Sequence, residues 1–220
     1  MSLKHLTIGT MVAICTFVAQ GAAQNEQGIA QKNELSGSLG RTFIADQGIQ
    51  GAPAYDPNLR FGKGLTFEIN YARRFIGTGV WAIAAEVPFV VNVDEDLHAA
   101  VNVGAQSEIP ESFSSYFVTP AARVNLFPLT AVSPWVSFGG GFGHFSESSK
   151  LEFVGVNPGK TGTTTGVLQA GVGLDVKLSR RFTVRGEARD FWSGVPQLNV
   201  TTGKSRQHNI FVGGGIVWHF

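Results

Sequence analysis

Cysteine is nearly missing from this sequence: 220 residues contain one, Cys15. That excludes a disulfide framework within the chain and a cysteine-built zinc centre. Methionine occurs twice, and charged residues make up only 15% of the chain, 17 Lys and Arg against 16 Asp and Glu. The balance of +1 carries no clustered basic face of the kind that grips nucleic acid, so no nucleic-acid partner is expected. No apolar run reaches the roughly 20 residues that a membrane-crossing helix requires. No period of solenoid or propeller length recurs. What the chain has instead is 28 glycines and 17 phenylalanines, which point toward strands, tight turns and aromatic anchors.

The first residues, MSLKHLTIGTMVAICTFVAQGAAQ, put Lys4 and His5 ahead of an apolar run at 6–18, then the small residues Gly21, Ala22 and Ala23. This is the three-part layout of a secretory signal peptide, assigned to 1–23 with cleavage after Ala23. Cys15 sits inside the apolar run behind Ile14 and reads as part of the signal core rather than as a lipid acceptor. The mature chain, 24–220, then has no cysteine, which suits an oxidising envelope compartment, and its length suits one domain.

After the polar stretch QNEQGIAQKN, eight segments have strand character. They are LSGSLGRTFI from Leu35, LTFEINYARRF from Leu65, VWAIAAEVPFVV from Val80, YFVTPAARVNLF from Tyr116, WVSFGGGFGHF from Trp135, GVLQAGVGLDVKL from Gly166, FTVRGEARDF from Phe182 and QHNIFVGGGIVWHF from Gln207. Most run to about ten residues, against about five or six in a globular strand, so their length favours a membrane-spanning sheet. The links between them alternate. Short ones fall at 76–79, 128–134 and 179–181, long polar ones at 45–63, 92–115, 146–165 and 192–206. An antiparallel meander with that rhythm puts every long link on one side.

Within the strands the residues alternate with period two. One parity reads Leu65, Phe67, Ile69, Tyr71 in the second strand, Trp81, Ile83, Val87, Phe89 in the third and Leu168, Val172, Leu174, Val176 in the sixth. The other carries Glu68, Asn70, Arg74, Glu86, Arg123, Asn125, Gln169, Asp175, Lys177, Arg185, Glu187 and Arg189. Aromatics recur near strand ends, at Trp81, Phe89, Tyr116, Phe127, Phe182 and Trp218, as in the interfacial girdles of a membrane barrel. Arg41 and Arg73 fall on the apolar parity, each near a strand end where a long side chain reaches the headgroup region. Pro88 and Pro120 interrupt their ladders and imply a bulge. A soluble lipocalin-like ligand-binding barrel has the same period turned inside out and is the alternative architecture.

The closing strand, with Ile210, Val212, Ile216, Trp218 and Phe220 on one parity, resembles the C-terminal signature of bacterial outer-membrane barrels. With the signal segment, the eight alternating strands and the short-long rhythm, the chain resembles the small OmpA/OmpX-type outer-membrane β-barrel family over essentially all its mature length. The resemblance implies an all-β fold, an eight-stranded antiparallel up-and-down transmembrane barrel with both termini periplasmic. It also implies an assembly signal at Ile216, Trp218 and Phe220 read by the barrel-assembly machinery, contact with outer-membrane lipids and lipopolysaccharide, and a monomer. Unlike full-length members of the OmpA kind, no peptidoglycan-binding domain is expected after the last strand.

An eight-stranded barrel is only wide enough to be filled by side chains. Buried charges there must be paired. An ion-pair network is therefore expected from Glu68, Glu86, Arg123, Arg185, Glu187 and Arg189, serving as a plug that sets register or as a gate. Gly139, Gly141, Gly143, Gly171, Gly173, Gly213 and Gly215 share the inward parity and are expected to make room for the long charged side chains.

Motifs with other chemistry are weaker. GVNPGKT at 155–161 has one residue too few for a phosphate loop and no helix pattern after it, and GGGFGHF lacks the strand-to-helix context of a dinucleotide site. Asp94, Glu95, Asp96 and His98 in the second long link have carboxylates for a hard cation but not the spacing of a calcium loop. His144 and His208, with Ser146, Ser205 and Asp190 as potential neighbours, are the residues a surface hydrolase would use, yet by parity they face outward. Lys204, Arg206 and His208 read better as contacts to lipopolysaccharide phosphates. No cofactor or metal signature is present. The expected function is that of a non-enzymatic outer-membrane protein, structural or surface-interacting through its long loops. The alternatives are a narrow gated pore and a lipid A-modifying or surface hydrolytic enzyme.

Overall fold

The computed structural model describes residues 31–51, 58–99, 109–152 and 155–220. The signal segment 1–23, Cys15 within it, and the first part of the polar stretch lie outside the described residues. The elements are all strands: β1 (Asn33–Ile44), β2 (Gln47–Gly48), β3 (Asn58–Phe61), β4 (Leu65–Gly77), β5 (Trp81–Ala99), β6 (Ser112–Val118), β7 (Ala121–Leu126), β8 (Val132–Glu147), β9 (Thr163–Lys177), β10 (Phe182–Gly194) and β11 (Arg206–His219). Eight staves form a closed antiparallel ring in chain order, β6 and β7 together making one stave and β2 and β3 lying outside the ring. The ring seals where β11 runs along β1, from Glu34 opposite His219 to Ile44 opposite Asn209.

The alternation decides which face is which. Ile69 is 59% exposed while its neighbour Glu68 is 1% exposed, and Ile216 is 58% exposed beside a fully buried Val217. Leu65, Phe67, Tyr71, Val172, Leu174 and Val176 likewise face out. The barrel is therefore apolar outside and polar at mid-height inside, the inverse of a soluble barrel. The three tight turns, at 78–80, 127–131 and 178–181, share one end with Asn33 and Phe220, whose backbones exchange hydrogen bonds of 3.1 and 3.0 Å.

Both prolines sit at one irregularity. Pro88 lies in β5 opposite Asn70, and on its other side it faces the break between β6 and β7, where only Thr119 N reaches Pro88 O, at 3.4 Å. Pro120 occupies that break and still accepts from Gly140 N at 3.1 Å. A residue without an N–H is thus placed where the ladder is already interrupted.

The second long link is shorter than its polarity suggests. β5 does not end near Asn92 but continues to Ala99, through a register shift between Asn92 and Glu95, and pairs there with β3 and β6. The acidic run is consequently on a strand, so its side chains diverge: Glu95 is buried whereas Asp94, Asp96 and His98 point outward. Among the described residues no group of three metal-ligating side chains converges.

Above the polar level the interior changes character. Phe113, Phe117, Phe145, Phe191 and Phe211 are buried there with Val90 and Val167, capped by Leu97 near the end of β5 and by Leu59, Phe61, Ile109 and Leu198 from the long connections. Phe117 and Phe191 stack with centroids 4.8 Å apart. The inward glycines admit either rings or a neighbouring stave's backbone: a Cβ on Gly173 would lie 2.4 Å from Trp135 and one on Gly143 2.6 Å from Phe117, whereas on Gly139, Gly141 and Gly215 it would lie 2.2, 2.0 and 2.0 Å from backbone carbonyl oxygens. The expectation that they make room for charged side chains holds only at Gly171, which faces Cγ of Arg189 at 3.3 Å. Aromatic rings are wider than aliphatic stems and need the closer approach of backbone that only glycine allows.

Candidate functional site

The polar level is built by inward positions of seven staves. Period two along each strand delivers them to one height: Glu34 from β1, Glu68, Asn70 and Arg74 from β4, Glu86 from β5, Arg123 and Asn125 from β7, Trp135 and Ser137 from β8, Asp175 from β9 and Arg185, Glu187 and Arg189 from β10. Trp135 stands at the centre, 1% exposed, its indole Nε1 donating to Asp175 at 3.2 Å. The guanidiniums of Arg123, Arg185 and Arg189 lie 5.7, 5.1 and 5.0 Å from its ring centroid. The π-face of one ring thus shares three cations.

Each cation is also matched to carboxylates. Arg185 Nε and Nη2 donate to the two oxygens of Asp175 at 2.8 and 2.9 Å, a fork on a fork. Arg189 reaches Glu86 at 2.7 Å, Glu187 at 3.0 Å and Glu68 at 3.1 Å. Arg123 donates to Glu34 in a very short contact and approaches Glu86 at 3.4 Å. Arg74 holds the other oxygen of Glu34 at 3.0 Å. Neutral donors finish the set, with Asn70 Nδ2 donating to Glu86 at 3.0 Å and the Ser38 hydroxyl to Glu187 at 2.6 Å.

The structure therefore brings all six sequence-derived residues, Glu68, Glu86, Arg123, Arg185, Glu187 and Arg189, into one continuous cluster. It also adds Glu34, Arg74, Asp175 and Trp135. Arg74 and Asp175 were visible on the polar parity; Glu34 lay one residue outside the expected first strand, which begins at Asn33 rather than Leu35. Trp135 shares parity with Gly139, Gly141 and Gly143, the inward glycines of its own strand, the one signal that could have found it.

The outward histidines are not brought together. His208 Nδ1 lies 2.6 Å from Asp190 and its ring stacks against Trp192, whereas His144, three staves away on β8, pairs with Thr164 at 2.8 Å. Among the described residues neither ring is hydrogen-bonded to Ser146 or Ser205. Residues 155–161 form a turn-rich connection, with Gly155 at φ 120° and Gly159 N donating to Asn157 Oδ1 at 2.8 Å. Ile216, Trp218 and Phe220 are 58%, 43% and 45% exposed on the outer face, and Trp218 stacks with Phe220 at 4.7 Å.

No protein-family model matches the chain, and no curated protein matches it. Solved structures do. Neisserial surface protein A (NspA) superposes with a TM-score of 0.53 at 14% identity, over 86% of this chain and 97% of that one. The outer membrane protein OprG from Pseudomonas aeruginosa superposes with a TM-score of 0.50 at 8% identity, over 86% and 97%. At these identities the likeness is one of architecture, and it extends over the whole ring. The chain has the fold of the eight-stranded outer-membrane β-barrel proteins.

Proposed function

We propose that this protein is an integral component of a bacterial outer membrane, with its termini and tight turns in the periplasm and its long connections outside. The observation that carries the reading is the continuous belt of exposed Leu, Ile, Val and Phe around a ring whose interior is already filled. Such a surface in water would be an aggregation site; in hydrocarbon it is the resting surface. Aromatic residues at both rims, Trp81, Phe182 and Trp218 below, Phe43, Tyr116 and Trp192 above, support a fixed depth in the bilayer.

The same reading makes the protein a non-enzymatic, monomeric surface element whose long connections supply any recognition. The charged level acts as a plug that fixes register, since Arg123, Arg185 and Arg189 are each ion-paired to carboxylates on other staves and a slipped register would leave those buried charges unpaired. The outward trio Ile216, Trp218 and Phe220 serves the barrel-assembly machinery, and the belt contacts outer-membrane lipids and lipopolysaccharide.

The test is gel mobility of the protein from outer-membrane fractions, unheated and boiled in detergent. A mobility shift together with membrane partition is expected. Recovery in a soluble fraction without a shift would overturn the membrane assignment. Planar-bilayer recordings separate plug from gate: steady conductance that changes in Glu187→Gln or Arg185→Gln would replace the plug by a narrow gated pore.

A further inference from the structure

We propose that the outward rim formed by β1, β11 and β10 at the loop end binds the phosphate groups of a glycolipid in the adjoining leaflet. The inference rests on the membrane reading above and deepens it. Arg41 is the one charged residue among the outward positions Leu35, Gly37, Leu39, Arg41 and Phe43 of β1. A cation on the lipid-facing side is costly at depth and tolerable near the interface. Its Nη1 donates to Lys63 O at 2.7 Å, which brings a second cation to the same place, and Lys63 Nζ lies 5.8 Å from the Phe43 ring.

The neighbouring staves continue the pattern. Phe43 is opposite Ile210 on β11, and His208 follows on the same face. His208 stacks on Trp192, and the guanidinium of Arg206 lies 5.3 Å from that ring while Nη1 donates to Gly166 O at 3.2 Å. An aromatic ring thus stands beside each group of cations at the loop-side end of the apolar belt. Among the described residues no carboxylate lies within ion-pair distance of Arg41, Lys63 or Arg206, whereas His208 has Asp190. Each guanidinium keeps free N–H groups on its outer side, the fork that phosphate oxygens accept from.

The experiment uses the refolded protein in bilayer nanodiscs of phosphatidylcholine doped with bisphosphorylated lipid A, and counts lipid A retained per protein by mass spectrometry. Removing a cation near a charged headgroup weakens retention about fivefold. Arg41→Gln with Lys63→Gln is therefore expected to lower it by roughly 25-fold and Arg206→Gln by about fivefold. Arg73→Gln, an outward cation at the opposite end, is the control and is expected to leave retention unchanged. Equal retention of dephosphorylated lipid A, equal retention by the rim variants, or binding of inorganic phosphate in detergent with the same residue dependence would overturn the site. All variants are first checked for the heat-dependent mobility shift. Its absence in the parent chain sinks the membrane reading, and its presence without selective retention sinks this site alone.

Discussion

At the scale of single residues, the interior depends on pairs in which one member is large because the other is nothing. Trp135 occupies the space a side chain on Gly173 would need, and a Cβ there would also lie 2.7 Å from Gly186 O, a backbone atom that cannot swing away. Gly173→Ala is expected to cost roughly 1–3 kcal/mol through overpacking. Gly37→Ala, whose Cβ would meet nothing within 4 Å on the outer face, should be close to neutral. The temperature at which the folded band is lost on a gel compares the two. Equal losses would mean that the ring contact does not set the fit. At this scale much was legible. Glu68, Glu86, Arg123, Arg185, Glu187 and Arg189 announce themselves because charge on a period-two pattern has nowhere else to go. The Phe117, Phe145, Phe191 and Phe211 layer was not, because phenylalanine in a membrane barrel reads by default as lipid-facing. Only parity shows that it points in: Phe191 is in step with Arg185, Glu187 and Arg189, and Phe145 and Phe211 with the inward glycines of their own strands.

At the scale of elements, hydrophobicity misleads where a strand outlasts its apolar face. Asp94, Glu95 and Asp96 look like a loop, yet main-chain pairing of Leu97, His98 and Ala99 with Phe61, Arg60 and Leu59 of β3, and of Glu95 and Asp96 with β6, keeps β5 extended, because ladder hydrogen bonds do not depend on side-chain polarity. Side-chain bonds from the next connection also tie its tip. Ala99 N donates to Glu152 Oε1 at 3.2 Å, with His98 Nδ1 3.9 Å away. Burial raises the Glu152 pKa above the ordinary carboxylate value, opposed by the Ala99 amide and by His98. A carboxyl whose folded value is raised contributes stability that is present below its unfolded value and is lost as pH rises through the folded one. In a His98→Gln background, which removes the neighbouring imidazole, the Ala99 amide is expected to open more often at pH 8 than at pH 5. Glu152→Gln should remove the difference. Hydrogen exchange at that amide, corrected for its intrinsic rate, checks it, and an unchanged pH dependence in Glu152→Gln would assign the effect elsewhere.

At the scale of the molecule, the interior is two seals in series, one charged and one aromatic. Neutralising a single charge leaves the aromatic seal in place, so a conducting state requires the upper layer to go. Phe117→Ala with Phe211→Ala is expected to cost about 3–5 kcal/mol for each ring removed and to stay as silent in planar bilayers as the parent, because the charged level still closes the barrel. Conductance in a double variant that still shifts on heating would mean that the charged level does not close the barrel on its own. The ring itself was readable from strand length, alternation and the rhythm of the links. Its capping by Leu59 and Phe61 of β3, Ile109 and Leu198 was not, since polar connections carry no periodic signal. One further consequence lies in the reciprocal backbone bonds between Asn33 and Phe220. They make the barrel a loop of chain whose starting point is arbitrary: a permuted gene, joined across that seam and opened within 195–205, should refold in detergent and still resist it until heated. On the proposed reading of Ile216, Trp218 and Phe220 as an assembly signal, the same permutant should accumulate unassembled in cells, because Phe220 would lie mid-sequence. Stability and delivery would then be separable properties of one set of atoms.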